Sequence, residues 1–474
     1  MVDISADYLV QGAGATCLGF VDSLLDYPSD DSIVIVDRGD SPGGHWNDAY
    51  PFVRLHQPAA VYGLASTLLG SGRLETEGLN AGLFDLATRS EVLAHYDGAM
   101  RNRFLPSGRV RYFPKCDLTV DADGHAGTIR NMATGAITRV AIRKRLITTT
   151  ISTEIPSTHP PRFRIAEGVH CIPVNGLASL DRPYAAYTVV GAGKTGIDAC
   201  IWLLGRGVEP QRISWVMPRD SWFGPRENMQ PGIEFFAHNI GTQITATEEI
   251  MAAETVDNMF RRFEARGLLC RLDPEVWPTM YRCAIVSARE LAQLRRIRKV
   301  IRLGRVDAVE RDTLVLREGS VPADPDTLYI HCAANAFSTD PKTSSRPRPT
   351  FEPRRINLSI LRFCQPAFSC ALIARIEVLY QEDTARNAIT IPVPPPQVPL
   401  DWLRMMLISY ANSGHWRTEP LLDAWISTCR LNVFATETRG VSKSAPKIAA
   451  LVMDWEARIP AAAQKMQALI AGAA

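Results

Sequence analysis

Two stretches decide the fold: YLVQGAGATCLGF at residues 8–20 and SIVIVDRGD at residues 32–40. The first is a short apolar run that stops at Gly12-Ala-Gly14 and continues with helical spacing. The second is an apolar run, Ile33 to Val36, that ends in Asp37, 25 residues after Gly12. The order is strand, glycine turn, helix, and a second strand with a carboxylate at its tip. A nucleotide needs these parts. Glycines let the backbone approach a pyrophosphate, the helix N-terminus supplies N–H donors and a positive dipole end, and the acid accepts ribose hydroxyls.

The pattern recurs. Ala186 to Val190 is apolar and leads into Gly191-Ala-Gly193-Lys194-Thr195-Gly196, a full GxGxxG, followed by Ile197, Ile201 and Leu204 at helical spacing. The next apolar strand, Ile213 to Met217, ends without an acid, and Pro218-Arg219 follows. Two such turns 179 residues apart, with different second-strand tips, specify two dinucleotide sites more sharply than either does alone. Without a carboxylate to repel a 2′-phosphate, and with Arg219 to grip it, the second site is expected to prefer NADPH over NADH. Lys194 adds positive charge at that turn, and Asp220 is positioned to compete for Arg219.

Working outward, Arg38 and then Gly43-Gly44-His45-Trp46 follow Asp37. The glycine pair permits a tight turn against a flat or charged ligand, which His45 and Trp46 would flank. Arg54-Leu55-His56-Gln57-Pro58 belongs to a loop, because Pro58 removes a donor and disfavours helix before it. Ser90 to Phe104 reads as a helix capped by Ser90, and residues 109–147 as strand-rich with turns at Ala122-Asp123-Gly124 and Thr134-Gly135. Residues 155–163 form a proline-rich crossing linker. Thr247 to Gly267 reads as one helix capped by Thr247, and residues 339–353 as a Pro/Arg/Ser-rich surface loop. Pro366 opens a helix running to Tyr380, and further helices are expected up to the C-terminus.

Composition bounds the function. The chain has 474 residues, 46% hydrophobic and 22% charged, enough for two or three cores. A net charge of +2 gives no electrostatic case for nucleic acid or an anionic membrane. Ten cysteines are scattered without a CxxC, which reads as reduced core cysteine in a cytoplasmic protein without dithiol chemistry. Cys364 and Cys370 make poor partners, since one precedes a helix and the other lies within it. The histidines lack ligand spacing, so no metal site is expected. The N-terminus lacks the basic-then-apolar order of a secretory signal, and no apolar run reaches membrane-spanning length.

Gly12/Gly14, Asp37, Gly43-Gly44-His45-Trp46 and Gly191/Gly193/Gly196, in this order and spacing, resemble the class B flavin-dependent monooxygenases across roughly residues 7–220. The resemblance implies an α/β fold of two Rossmann-like domains with a helical C-terminal region. FAD would bind in residues 1–160, NADP in an inserted domain at 165–325, and the chain would return to the FAD domain from 326 to 474. It implies a cofactor set of Gly12, Gly14, Asp37, Arg38, Gly44, His45, Trp46 and Gln57 for FAD. For NADPH it implies Gly191, Gly193, Lys194, Thr195, Gly196 and Arg219. Gln57 falls near the family's active-site asparagine. The helix opening at Pro366 would aim its N-terminus at the reduced flavin. The implied activity is oxygenation of a small organic substrate by O₂ through a C4a-peroxyflavin. Three departures stand: Cys17 replaces the third glycine, the linker lacks FxGxxxH, and Thr148-Thr149-Thr150 replaces Ala-Thr-Gly. A two-dinucleotide flavin reductase and a non-catalytic flavoprotein are the alternatives.

Overall fold

A computed structural model describes residues 2–151, 154–334, 348–435 and 446–473. Residues 339–347 of the Pro/Arg/Ser-rich stretch lie outside the described residues.

The first strand, Val2–Gln11, is the centre of one sheet. It pairs in parallel with Ile33–Val36 on one side and Ile137–Thr149 on the other. Val110–Phe113 extends the sheet beyond Ile33–Val36, and Arg355–Leu358 extends it beyond Ile137–Thr149, both in parallel. All four residues of Ile33–Val36 are buried, as a parallel strand covered on both faces requires. Cys116–Val120 and Ala126–Asn131 form the antiparallel hairpin anticipated at residues 109–147. The helix Ala15–Leu24 packs against Pro366–Leu379, where Gly19 leaves room for the Ala367 carbonyl 3.9 Å from its Cβ position.

The second glycine turn starts the helix Lys194–Gly205 in a separate parallel sheet. Its strand order is Lys299–Ile301, Ile213–Val216, Ala186–Val190, Thr327–His331, His170–Pro173. The strand Thr327–His331 therefore belongs to the second sheet, which corrects the expected return at residue 326. Its Leu328 and Ile330 are buried in that sheet, and the first sheet is rejoined only at Phe351.

Two helix ends also differ from expectation. Thr88, not Ser90, caps Arg89–Ala99, because Glu91 reaches back to the Thr88 N–H at 2.7 Å to complete a capping box. Residues 247–267 are split: Ile233–Ala252 runs through Thr247, and Thr255 caps Val256–Ala265. The Thr247 hydroxyl instead donates to the Ile244 carbonyl at 2.7 Å. The C-terminal region is helical, with Pro399–Thr418, Pro420–Thr428 and Pro446–Gly472. The last packs along Ile233–Ala252 and is tied to it by Arg458–Glu248 at 2.9 Å.

Candidate functional site

Both glycine turns open onto one cleft of about 960 Å³. Gly12, Gly14 and Asp37 line it from the first sheet, and Gly191, Gly193, Lys194 and Thr195 from the second. Gly44, His45, Trp46, Gln57 and Arg219 line it as well. Twelve of the fourteen residues expected to hold cofactors thus share one space.

The first turn is built around Asp37. Its two carboxylate oxygens accept from the Ala13 N–H at 2.5 Å and the Gly39 N–H at 2.6 Å, which joins the glycine turn to the tip of the second strand. Gly44 sits against this turn with φ +56°, and a Cβ there would lie 2.8 Å from the Gly14 Cα. No side chain fits, which explains the glycine pair. Trp46 is nearly buried and donates its indole N–H to the Tyr62 hydroxyl at 3.0 Å, so it is a cleft wall as well as a core aromatic. Cys17 is buried, its thiol pushed up to about 12 by burial and directed at the Gln11 carbonyl, 3.4 Å away. It is a packing residue.

Two expected residues are not brought to the cleft. Arg38 is exposed and lies 3.8 Å from Asp117, because the chain turns away after the strand tip. Gly196 acts at one remove: its Cβ position lies 2.0 Å from the Gly191 carbonyl oxygen, so it lets helix and turn close on each other. That same carbonyl accepts from the Trp215 indole at 2.9 Å.

The cleft is cationic where the second sheet meets it. Arg219, Arg282, Arg305 and Arg317 all line it. Burial, with Arg219 and Arg305 nearby, lowers the Arg282 pKa. Asp220 does not compete for Arg219. It is held instead by Arg302, at 2.7 and 3.0 Å. Lys194 pairs with Asp198, which also accepts from the Tyr50 hydroxyl at 2.6 Å, so this contact joins the two sheets' sides of the cleft. Sequence spacing missed Arg226. It is fully buried behind the cleft residue His56, donating to the His56 carbonyl at 2.9 Å, Asn80 at 3.1 Å and Glu290 at 2.7 Å. Partners 64 to 170 residues away leave no local signal.

Whether these residues fit a dinucleotide can be tested on the cleft itself. A Cβ at Gly193 would meet nothing within 4 Å, so the second turn leaves space for a ligand against its backbone. Buried polar atoms facing this space lack partners: His56 Nδ1, Arg282 Nε and both ring nitrogens of His331. Pro366 and Ala367 present the N-terminus of a 14-residue helix to the same space. A polar, partly anionic ligand fits this donor set. Among the described residues no group of three metal-ligating side chains occurs, and no helix is long and apolar enough to cross a membrane.

The cysteines depart from expectation. Cys283 and Cys364 form a disulfide, and both line the cleft. Cys370, the partner weighed from sequence, is buried in Pro366–Leu379. The residues beside this disulfide, Tyr281 and Phe363, stack with centroids 6.4 Å apart and face a second cavity of about 610 Å³. That chamber is lined by Phe236, Phe263, Trp402 and Met406, among others.

No protein-family model matches the chain. It is 42% identical over 436 residues to an uncharacterized protein of Mycobacterium tuberculosis, an alignment covering 91% of this chain and 78% of that one. An uncharacterized protein of Mycobacterium bovis matches to the same extent. The chain belongs to the family of these mycobacterial proteins. Among solved structures, it is similar to a polycyclic ketone monooxygenase from the fungus Thermothelomyces thermophila. The TM-score is 0.50 at 12% identity, over 99% of this chain and 88% of that one. The two chains share their fold.

Proposed function

We propose that this member of the mycobacterial family is an FAD-dependent, NADPH-consuming oxidoreductase that oxygenates a small apolar substrate. The observation that carries the reading is that both glycine turns open onto a single cleft. A pyridine nucleotide on one turn and a flavin on the other would be neighbours there. Bound flavin would supply hydride acceptance from the nicotinamide and the activation of O₂.

The chain's own residues have the following roles in this reading. Residues 1–160 and those beyond the second sheet hold FAD, and the segment from 165 to His331 holds NADPH. Gly12 and Gly14 admit the FAD pyrophosphate, and Asp37 accepts the ribose hydroxyls. Gly44, His45, Trp46 and Gln57 wall the flavin side. The N-terminus of Pro366–Leu379 favours the negative charge of a reduced ring. Gly191, Gly193, Lys194 and Thr195 cradle the second pyrophosphate, and Arg219 binds the 2′-phosphate with Arg282 and Arg305 close by. The apolar chamber behind Tyr281 and Phe363 supports an apolar substrate and keeps water from the reacting atoms.

The test is an absorbance spectrum of the purified protein, followed by NADPH under air. A flavin spectrum, bleaching by NADPH and oxygen-dependent recovery with an oxygenated product are expected. Failure to take up FAD on reconstitution counts against the reading, and so does bleaching whose oxygen uptake yields only hydrogen peroxide with every apolar substrate offered.

A further inference from the structure

We infer that the Cys283–Cys364 disulfide is a redox-active pair that takes electrons from the reduced flavin of this cleft, which makes the protein a disulfide reductase in addition. The inference rests on the reading of the cleft as the flavin site.

Position is the first argument. The two cysteines come from segments 81 residues apart, and neither is fully buried. Both line the space that contains Gly12, Gly14 and Trp46. Cys364 lies two residues before Pro366, at the N-terminal end of the helix that faces the cleft.

The electrostatic setting is the second. Thiolates are stabilised by neighbouring guanidinium groups and by helix N-termini. Cys283 adjoins Arg282, whose buried Nε has no hydrogen-bond partner, and Cys364 stands at a helix N-terminus. The helix N-terminus favours the reduced, anionic form of the Cys364 sulfur. Cys17, Cys200, Cys332 and Cys370 are instead buried, and burial pushes their thiols up. They are inert by comparison.

Backbone geometry is the third. Only three non-glycine residues among those described have positive φ, and two are Cys283 (56°) and Cys364 (47°). Side chains rarely accept this conformation, and where they do it clusters at functional sites.

The step balances. The disulfide accepts two electrons, and its S–S bond breaks. Both sulfurs become thiols, with one proton from the reduced flavin and one from solvent. The flavin returns to its oxidised form, and NADPH, oxidised to NADP⁺, is the source of the electrons. The dithiol would then reduce a second disulfide by exchange through a mixed disulfide.

The experiment follows the sulfurs directly. Non-reducing peptide mapping of the FAD-loaded protein should find the Cys283–Cys364 cross-link. After anaerobic NADPH, alkylation should label both cysteines, and the NADPH titration should consume two electrons per chain beyond those that bleach the flavin. C283S and C364S should each lose the extra two electrons while retaining flavin, and C370S should keep them. With NADPH, the wild type should reduce an aromatic disulfide such as dithiobis(nitrobenzoate), and the two variants should lose most of that activity. Flavin that bleaches while Cys283 and Cys364 stay unlabelled overturns the inference and leaves the proposed function standing. Absence of the cross-link also overturns it. A protein that takes up no flavin defeats the proposed function, and the inference with it.

Discussion

Arg302 holds the carboxylate of Asp220 at 2.7 and 3.0 Å, and Arg219, one residue earlier, is thereby left to face the cleft. The Asp220 carbonyl also accepts from the Met280 N–H at 3.1 Å, so this acid is fixed at both ends. Replacing Arg219 by Ala should therefore cost NADPH efficiency and spare NADH. The loss expected for one set of charged hydrogen bonds is about 1.5–3 kcal/mol in kcat/KM. Steady-state oxidation of both cofactors measures it. Equal use of the two by wild type and variant would remove Arg219 from phosphate recognition.

Asp37→Ala tests the first site. The variant loses the acceptor for ribose hydroxyls and also frees the Ala13 and Gly39 N–H groups that shape the turn. FAD binding by equilibrium dialysis should weaken by about 1.5–3 kcal/mol. Unchanged affinity would mean that FAD does not meet this carboxylate.

Two glycines should respond in opposite ways to the same methyl group. In Gly44→Ala the new Cβ meets the Gly14 backbone at 2.8 Å with φ +56°, so the fold itself should suffer, by roughly 1–3 kcal/mol. In Gly193→Ala the methyl enters open cleft, so thermal stability should stay within about 0.5 kcal/mol while NADPH affinity falls. Thermal melts with and without cofactor separate the two. A Gly193→Ala protein that binds NADPH normally would show that no pyrophosphate lies against this turn.

His95 sets an acid limit. Its Nε2 accepts from the Leu64 N–H at 3.1 Å, which requires the neutral ring. Burial, with Arg430 nearby, holds its pKa down at about 4, against 6.5 ordinarily. As pH falls through 6.5 the unfolded chain takes up a proton that the folded one refuses, so stability is lost between about pH 6.5 and 4, then levels off. At about 1.4 kcal/mol per unit, the shift corresponds to roughly 3 kcal/mol. His95→Gln retains an acceptor and does not titrate, so its denaturation midpoint should change less between pH 7 and pH 4.5. An identical pH slope in the variant would rule His95 out.

The sequence by itself determined both strand–turn–helix units, the position of Asp37, the glycine pair and the proline-led helix at Pro366. Each depends on residues close in the chain: apolar runs of one period, glycines where no side chain fits, a carboxylate at a strand tip. Tertiary structure decided the rest. Only the fold shows that both turns face one cleft, that Thr327–His331 completes the second sheet, and that Asp220 turns to Arg302, 82 residues away. Only the fold brings Cys283 to Cys364 across 81 residues, a pairing that no cysteine spacing suggests. These pairings join distant segments. Side-chain partners of this kind are chosen by where the sheets and helices come to rest, a choice that no local periodicity encodes.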